Sequence, residues 1–313
     1  MKRKYFIWLL LISLLLFILI PVFHIAKTYW EEDEFKTQIP KGYTNDASGL
    51  SLTKVDSIID VPNSKIEMIK QLKDILEYSK INKIPISIAG AKHSMGGHTM
   101  YPNGIVLNMR PYKEMQIDTI NNILTIGSGA LWEDAINYLN KFKKSIAVMQ
   151  AFSSFSIGGS LSVNGHGWQK NSPPISSSVI SFTLMNYKGE ILNCSRTENK
   201  ELFSLVIGGY GLFGIILDIR LCVVENENLN FTRYKLNSSE YLSYFKKYAT
   251  QNNDVKLVFG RLNISEKNFL EYATLNIFKS SKIKLAKPNI ENQHKSTDIK
   301  RLIFRSTVNS EYG

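Results

Sequence analysis

The feature that most constrains this chain is a run of small and hydroxyl-bearing residues at 151–167, AFSSFSIGGSLSVNGHG. Glycine adds no side chain and permits backbone conformations that other residues avoid, so such a run lets N–H groups approach an anion or a flat ring. The segment has too little apolar surface to form a core by itself. It therefore predicts a loop that holds the diphosphate and the ring of a nucleotide cofactor.

Size and charge narrow the alternatives. The chain has 313 residues, 44% of them hydrophobic, which is enough for one large core or two modest ones. Its net charge of +11 would suit nucleic acid or an anionic membrane surface. However, the lysines are spread along the sequence, and the cluster at residues 279–287 has no zinc-finger, RNP or basic-helix pattern. We therefore predict that nucleic acid is not a partner.

Cysteine and histidine spacing does not indicate a metal. Cys194 and Cys222 lack metal-ligand spacing, and their apolar, strand-like surroundings predict buried free thiols rather than a disulfide. His93 and His98 are five residues apart in a glycine-containing loop that has no further zinc ligands. We predict that no metal is bound, that His98 is a surface residue, and that His93 contacts a ligand.

The N-terminus predicts a membrane anchor. Residues 5–26 carry no charge, and a helix of this length crosses a hydrocarbon layer of about 30 Å. Basic residues at 2–4 precede this run and acidic residues at 31–34 follow it, which favours a cytoplasmic N-terminus with the main domain on the far side. We expect a single-pass transmembrane helix within residues 1–30 and a linker over 31–44.

The middle of the chain alternates between helical and strand patterns. Apolar residues at helical spacing predict helices over 64–78, 131–139, 202–207 and 241–248. Apolar, β-branched runs predict strands over 84–88, 105–109, 123–129, 179–185, 191–194, 215–224 and 255–262, with tight turns at 116–122 and 186–189. Residues 270–278 form a further element whose type the pattern leaves open.

Glycine-rich loops are weak signals when each is taken alone. The chain contains no P-loop string, and Gly209–Gly214 fits the pattern GxGxxG only by its letters. A β-branched run follows from Ile215, whereas the dinucleotide fingerprint requires a helix whose N-terminus meets the diphosphate.

Four motifs in order resemble the vanillyl-alcohol oxidase and p-cresol methylhydroxylase family of flavoproteins, and are most similar to its sugar and alditol oxidase branch. They are PISIAGAKHS at 85–94, ILTIGSGALWEDA at 123–135, SFSIGGSLSVNGHG at 154–167 and MNYKGEILNCSRTENKELFSLVIGGYGLFGII at 185–216. The resemblance implies an α+β fold. A PCMH-type FAD-binding domain of two α+β subdomains would cover residues 45–225, and a partial antiparallel-sheet substrate (cap) domain would cover 226–313.

The resemblance also implies which residues hold FAD. The loop from Ile88 to Ser94 would wrap the diphosphate, and His93 matches a histidine that many members bond covalently to the flavin 8α-methyl group. No cysteine stands just before the 151–167 segment, so a second covalent link is not expected. The implied cofactor-binding residues are Ile88, Ala89, Gly90, Ala91, Lys92, His93, Ser94, Ser156, Gly159, Val163, Asn164, Gly165, His166 and Ile215.

The activity implied is FAD-dependent oxidation of a C–OH group of a sugar, polyol or related glycan-type substrate, by hydride transfer to the flavin. Oxygen or a membrane carrier would be the electron acceptor. In the resembled branch the substrate-holding residues lie mainly beyond the part that this chain covers, so the catalytic base is unassigned and a truncated or split gene product is expected. The alternative is a non-catalytic flavin-binding remnant, or half of a split oxidase without a complete substrate site.

Overall fold

The computed structural model describes residues 5, 8, 15, 17, 19–30, 39–281, 302, 303 and 305–307. The chain divides into two units, Pro40–Leu285 on one hand and Met1–Ile39 with Ala286–Gly313 on the other. In the second unit, residues 19–30 are helical. About half of the predicted anchor and linker lies outside the described residues. Within the described residues, no helix combines the length and the apolar character needed to cross a membrane.

The larger unit begins with a short ribbon and a parallel sheet. Strands β1 (Tyr43–Thr44) and β2 (Thr53–Lys54) form the antiparallel ribbon. The sheet has the order β3-β5-β4, with β3 at Ser57–Asp60, β4 at Ile86–Ala89 and β5 at Ile105–Asn108. Both outer strands run parallel to β5. As a result, the loop that leaves β4 starts at the same edge of the sheet where β3 and β5 end.

Helix α1 (Lys65–Asn82) connects β3 to β4. It ends at Asn82, where the sequence Asn82-Lys83 predicts the close of the helix, and Lys83, with a positive φ of 56°, caps it in the left-handed conformation. Met68, Leu72 and Ile75 form its buried stripe against the parallel sheet. This confirms the predicted helix, although Ile66, which has the same spacing, is exposed.

An antiparallel sheet forms the second subdomain. Its order is β10-β9-β11-β7-β6, and β8 pairs with the end of β11. The strands are β6 (Met115–Asp118), β7 (Ile123–Gly127), β8 (Lys144–Ile146), β9 (Val179–Met185), β10 (Ile191–Ser195) and β11 (Ile215–Glu225). The helices that pack with it are α2 (Trp132–Asn140), α3 (Ile157–Ser162) and α4 (Lys200–Val206). One apolar cluster joins the sheet to all three helices.

The two predicted hairpins are present. Met185 pairs with Ile191 across the turn at 186–189, where Gly189 has a φ of 76° that other residues rarely adopt. Asp118 pairs with Ile123 across the other turn. The expectation of two buried cysteines is wrong for one of them. Cys194 is buried but Cys222 is exposed, because β11 alternates near its end and Cys222 falls on the solvent face.

A third sheet follows β11, as the resemblance implies for residues 226 onward. It is antiparallel, with the order β12-β14-β13. Its strands are β12 (Leu229–Asn237), β13 (Val255–Leu262) and β14 (Tyr272–Ser280). Helix α5 (Tyr241–Phe245) continues into a π-helical turn at Lys246–Thr250, and together they cover one face of the sheet.

A short segment directly after the 151–167 run adds to the edge of this third sheet. Gln169 forms a β-bridge with Leu257, and the Val258 N–H donates to the Trp168 carbonyl at 2.8 Å. The Trp168 ring stacks on the Phe259 ring at 4.0 Å between centroids. The glycine-rich run is therefore continuous with a segment that covers the exposed edge of β13.

Candidate functional site

A cleft opens where the loop after β4 meets the segment that begins α3. It consists of two adjoining cavities that open to solvent. Both cavities are lined by Gly90, Ser94, Thr99, Gly159 and Val163. One extended ligand could therefore occupy both.

The loop after β4 presents a series of backbone donors. The Ala91 N–H donates to Ser156 Oγ at 3.2 Å. Among the residues that the structure describes, the next three N–H groups, those of Lys92, His93 and Ser94, have no hydrogen-bond partner. Lys92 has a φ of 54°, which turns the chain at this point. Successive N–H groups around a left-handed residue form a concave anion-binding surface.

Polar contacts from the N-terminal ribbon hold this loop. Lys92 Nζ donates to Thr44 Oγ1 at 2.7 Å, and burial lowers the pKa of Lys92. Asp46 accepts a hydrogen bond from the Gly97 N–H at 2.9 Å. Burial by itself would raise the pKa of Asp46, but hydrogen bonds from Ser48, Gly97 and the nearby Ser51 outweigh it and lower the pKa to about 2.

His93 is exposed and lines the second cavity. Its ring lies 4.6 Å from the Phe155 ring between centroids, with the two planes tilted by 55°. Phe155 precedes α3, so this contact joins the two loops. The imidazole therefore lies beside the cavity, and the expected contact of His93 with a ligand stays a prediction.

His98 lies at the other cavity. It is exposed, as predicted, but it also lines the cleft, 5.4 Å from the Tyr210 ring between centroids. The sequence interpretation assigned it no role in the site, because a single loop histidine is more often a surface residue. Tyr210 and Gly211 come from the glycine-rich turn before β11. The prediction that this turn leads into a strand is confirmed.

Part of the 151–167 segment is a helix and not a loop. Residues 157–162 form α3, and Ile157 and Leu161 are fully buried in the core of the antiparallel subdomain. The expectation of a loop throughout is therefore wrong for these six residues. Trp132 Nε1 donates to Ser160 Oγ at 2.9 Å in the interior, which fixes the helix on α2. The small residues that remain facing the cleft are thus held by a packed core.

Glycines allow the two walls to approach each other closely. A Cβ at Gly90 would lie 2.0 Å from Ser156 Oγ, and one at Gly158 would lie 2.8 Å from the Ser128 Cβ. Neither distance is possible between real atoms. The side chain of Ser156 is itself buried. The width of the cleft therefore depends on the absence of a side chain at these two positions.

Three buried polar atoms in the cleft walls have no protein partner among the described residues. They are Thr99 Oγ1, Ser128 Oγ and Gln150 Oε1. Buried polar groups without partners are costly, so they indicate a ligand with its own donors and acceptors. Together with the unpaired N–H groups of residues 92–94, they suit a molecule that has a diphosphate and a polar, flat remainder. The residues present therefore fit FAD.

The structure brings most of the predicted site residues together. Those that line the cleft are Ile88, Gly90, Ala91, Lys92, His93, Ser94, Ser156, Gly159 and Val163. Those outside the lining are Ala89, which is buried at the end of β4, Asn164, Gly165 and His166, which follow α3, and Ile215, whose side chain is buried while its neighbours Gly214 and Ile216 line the cleft. Which of these residues contact the cofactor stays a prediction.

Several residues of the cleft besides His98 are not predicted from the sequence. Ser128 lies in the motif at 123–135, between β7 and α2, and a Gly-Ser-Gly string at the end of a strand was a usable signal. Thr99, Gln150 and Tyr210 carried no comparable signal, since each reaches the cleft only through tertiary packing.

Comparisons with known proteins agree with this geometry. Residues 65–195 match the family model described as FAD binding domain. The chain is 28% identical over 175 residues to cytokinin dehydrogenase 2 of Arabidopsis thaliana, a match that covers 55% of this chain and 35% of that protein. It is 26% identical over 209 residues to an uncharacterized oxidoreductase, ORF5 in the fasciation locus, of Rhodococcoides fascians, covering 65% and 47%.

A third relative is the mitochondrial L-galactono-1,4-lactone dehydrogenase of Arabidopsis thaliana. It is 25% identical over 194 residues, covering 62% of this chain and 32% of that protein. The matched part thus spans between about a third and about a half of the length of these relatives. The cleft and the comparisons lead to the same conclusion: residues 65–195 are similar to an FAD binding domain, and FAD is the cofactor.

Proposed function

We propose that this protein is an FAD-dependent oxidoreductase that oxidises a C–OH group of a sugar, a polyol or a related glycan-type substrate, as in the sugar and alditol oxidase branch. The observation that supports the proposal is the cleft, which brings together the backbone donors of residues 92–94 and the hydroxyls of Thr99 and Ser128, all without a partner among the described residues. When bound, the flavin supplies an acceptor for the hydride that leaves the substrate carbon.

The residues of the chain would bind and orient this group. The N–H groups of Lys92, His93 and Ser94 would offset the negative charge of the diphosphate. Gly90 and Gly158 would leave room for the cofactor to lie close to the backbone. The three unpaired polar atoms described above would fix the polar remainder.

Anaerobic reduction tests the activity. The purified FAD-loaded chain would be mixed with polyols, aldoses, aldonolactones and cytokinins, and the loss of flavin absorbance followed. The panel includes galactonolactone and cytokinins because two of the relatives are named as dehydrogenases of these compounds. We expect at least one sugar or polyol to reduce the flavin. If dithionite reduces the flavin and no compound of the panel does, the protein is a flavin-binding module without a substrate site.

His93 is the candidate for covalent attachment of the flavin. It lies in the cavity, and the contact with Phe155 orients its ring. After acid precipitation, flavin should stay with the wild-type protein and be released from His93→Ala. His98→Ala is the matched control and should retain it. Flavin that is freely released from the wild type would exclude the covalent bond.

The electron acceptor and the location form one further part of the proposal. The described residues Phe17, Val22 and Phe23 expose large apolar side chains, which supports a single-pass anchor with the main domain on the far side of the membrane. Hydrogen peroxide produced under air would identify O₂ as acceptor. Turnover only with an added quinone would identify a membrane carrier. Release of the full chain from membranes by carbonate would exclude the anchor.

A further inference from the structure

The third sheet carries three cations on one face. Arg233 and Lys235 lie on β12, and Arg261 lies on β13. Lys235 and Arg261 both pair with Thr274 on the central strand, from opposite sides, so all three cations share its face. Neighbouring strands are about 4.8 Å apart and alternate residues about 6.8 Å, which places the three Cα atoms within roughly 12 Å of one another.

A buried asparagine holds one of these cations in place. Asn276 is fully buried, and its Oδ1 accepts a hydrogen bond from Arg233 Nε at 2.8 Å. The amide nitrogen of Asn276 in turn donates a hydrogen bond to Thr274 Oγ1 at 3.2 Å. The terminal amino groups of Arg233 have no partner among the described residues. The guanidinium is therefore oriented, with its two terminal donors available to an acceptor outside the sheet.

Within the described residues the charge of this face is not balanced, because one carboxylate, that of Glu240, lines the depression together with the three cations. Among the described residues, none of Arg233, Lys235 and Arg261 forms an ion pair. Glu240 lines the same depression, but its carboxylate accepts a hydrogen bond from the Asn237 N–H at 3.3 Å. Three like charges at this spacing repel one another, so an anion bound between them is favoured.

The surroundings provide space and an apolar neighbour. The cations line an open depression of about 680 Å³, which shares no lining residue with the FAD cleft. Aromatic rings lie next to them on the same face. The Arg233 guanidinium is 5.5 Å from the Phe231 ring, and that of Arg261 is 5.5 Å from the Phe259 ring. A ligand could therefore place charged groups on the cations and a flat or apolar part along the rings.

We propose that this face is a second binding site, for a small organic anion that carries phosphate or carboxylate groups. Arg233 and Arg261 would each donate two parallel hydrogen bonds to one anionic group, and Lys235 would supply a third positive charge. The oriented fork of Arg233, together with the absence of a protein counter-ion in the described part of the chain, distinguishes this face from an ordinary solvated one.

Calorimetric titration of the full FAD-loaded chain tests the site, with inorganic pyrophosphate and citrate as probes at constant ionic strength. We expect saturable binding of one equivalent. Tighter binding of pyrophosphate would identify a phosphate-bearing ligand, and tighter binding of citrate a carboxylate-bearing one. Arg233→Gln and Arg261→Gln should each weaken binding about tenfold or more, since each loses a charged, paired donor.

Lys267→Gln, at an exposed position between β13 and β14, makes the same change in charge and should leave binding within about twofold. Unchanged flavin absorbance and circular dichroism would show that the variants are folded. Arg261→Gln remains informative if Arg233→Gln is unstable, because Arg261 makes no hydrogen bond within the described residues. The proposal would be overturned by binding that does not saturate or by no binding of either probe. It would also be overturned if Lys267→Gln weakened binding as much as the two arginine variants do.

Discussion

The two walls of the cofactor cleft are stabilised in different ways. The wall that contains α3 is part of the main core, because Ile157 and Leu161 pack among buried residues of the antiparallel sheet. The opposite wall, residues 88–94, leaves a short parallel strand and is held by polar contacts with the N-terminal segment: Lys92 Nζ donates to Thr44 Oγ1, and the Lys92 carbonyl accepts from the Ala47 N–H. The contrast indicates that one wall shares the global stability of the domain, while the other depends on a few polar contacts.

Leu161→Ala should have the largest effect on the wall that belongs to the core. Removing a fully buried leucine should lower the free energy of unfolding by about 2–5 kcal/mol, measured by urea denaturation. Val163→Ala is the control, since Val163 is half-buried and lines the cleft. It should weaken FAD binding with little change in stability. A cost below about 1 kcal/mol for Leu161→Ala would show that α3 is not part of the core.

Gly90→Ala tests the contact between the two walls. The new Cβ would overlap Ser156 Oγ, so we expect a loss of about 1–3 kcal/mol of stability and weaker FAD binding. Adding Ser156→Gly should restore much of the loss, because it removes the atoms that the alanine meets. Purely additive effects in this double-mutant cycle would mean that the walls do not touch here.

Thr44→Val tests the polar support of the other wall. The valine has a similar shape but offers no acceptor to Lys92 Nζ, so the loop should lose about 0.5–1.5 kcal/mol. Hydrogen exchange should become faster at two amides, that of Ala47, which donates to the Lys92 carbonyl, and that of Ala91, which donates to Ser156 Oγ, with no change in α3. Equal acceleration of exchange in both walls would show that they open as one unit and would remove the contrast.

Asp46 contributes its full stabilisation near neutral pH, and this contribution is lost only in acid. Its pKa is about 2 in the folded protein and about 3.9 in an unfolded chain, so its stabilisation is complete above about pH 4 and is lost as the pH falls to about 2. Asp46→Asn should flatten the change in urea midpoint over this interval. An identical pH profile in wild type and variant would exclude Asp46 as the group responsible.

Elements with strong local signals could be predicted from the sequence. The hairpin of β9 and β10 was predicted because Asn186 and Gly189 supply a turn between two apolar runs, and β13 was predicted with its observed bounds. Strands β1, β2, β3 and β8 were missed because each has only two to four residues, too few to show a period. β12 was missed although it has nine residues, since it mixes polar and apolar side chains.

The cleft was only partly predictable. The motifs located the backbone of both walls, since glycine and serine strings depend on local chemistry. Helix α3 was overlooked because Gly158 and Gly159 suggested a loop, although Ile157 and Leu161 stand four residues apart, as on one face of a helix. Thr99 and Gln150 could not be found, because their place in the cleft follows from the packing of distant segments.

The bridge between Gln169 and Leu257 has a consequence for the newly made protein. About 90 residues separate the two partners, and at a synthesis rate of roughly 5–20 residues per second the first waits several seconds for the second to leave the ribosome. During this interval Trp168 lacks the ring on which it stacks. A nascent chain halted before β13 should therefore expose an aromatic side chain beside an unfinished cofactor site, which is the kind of surface that chaperones bind.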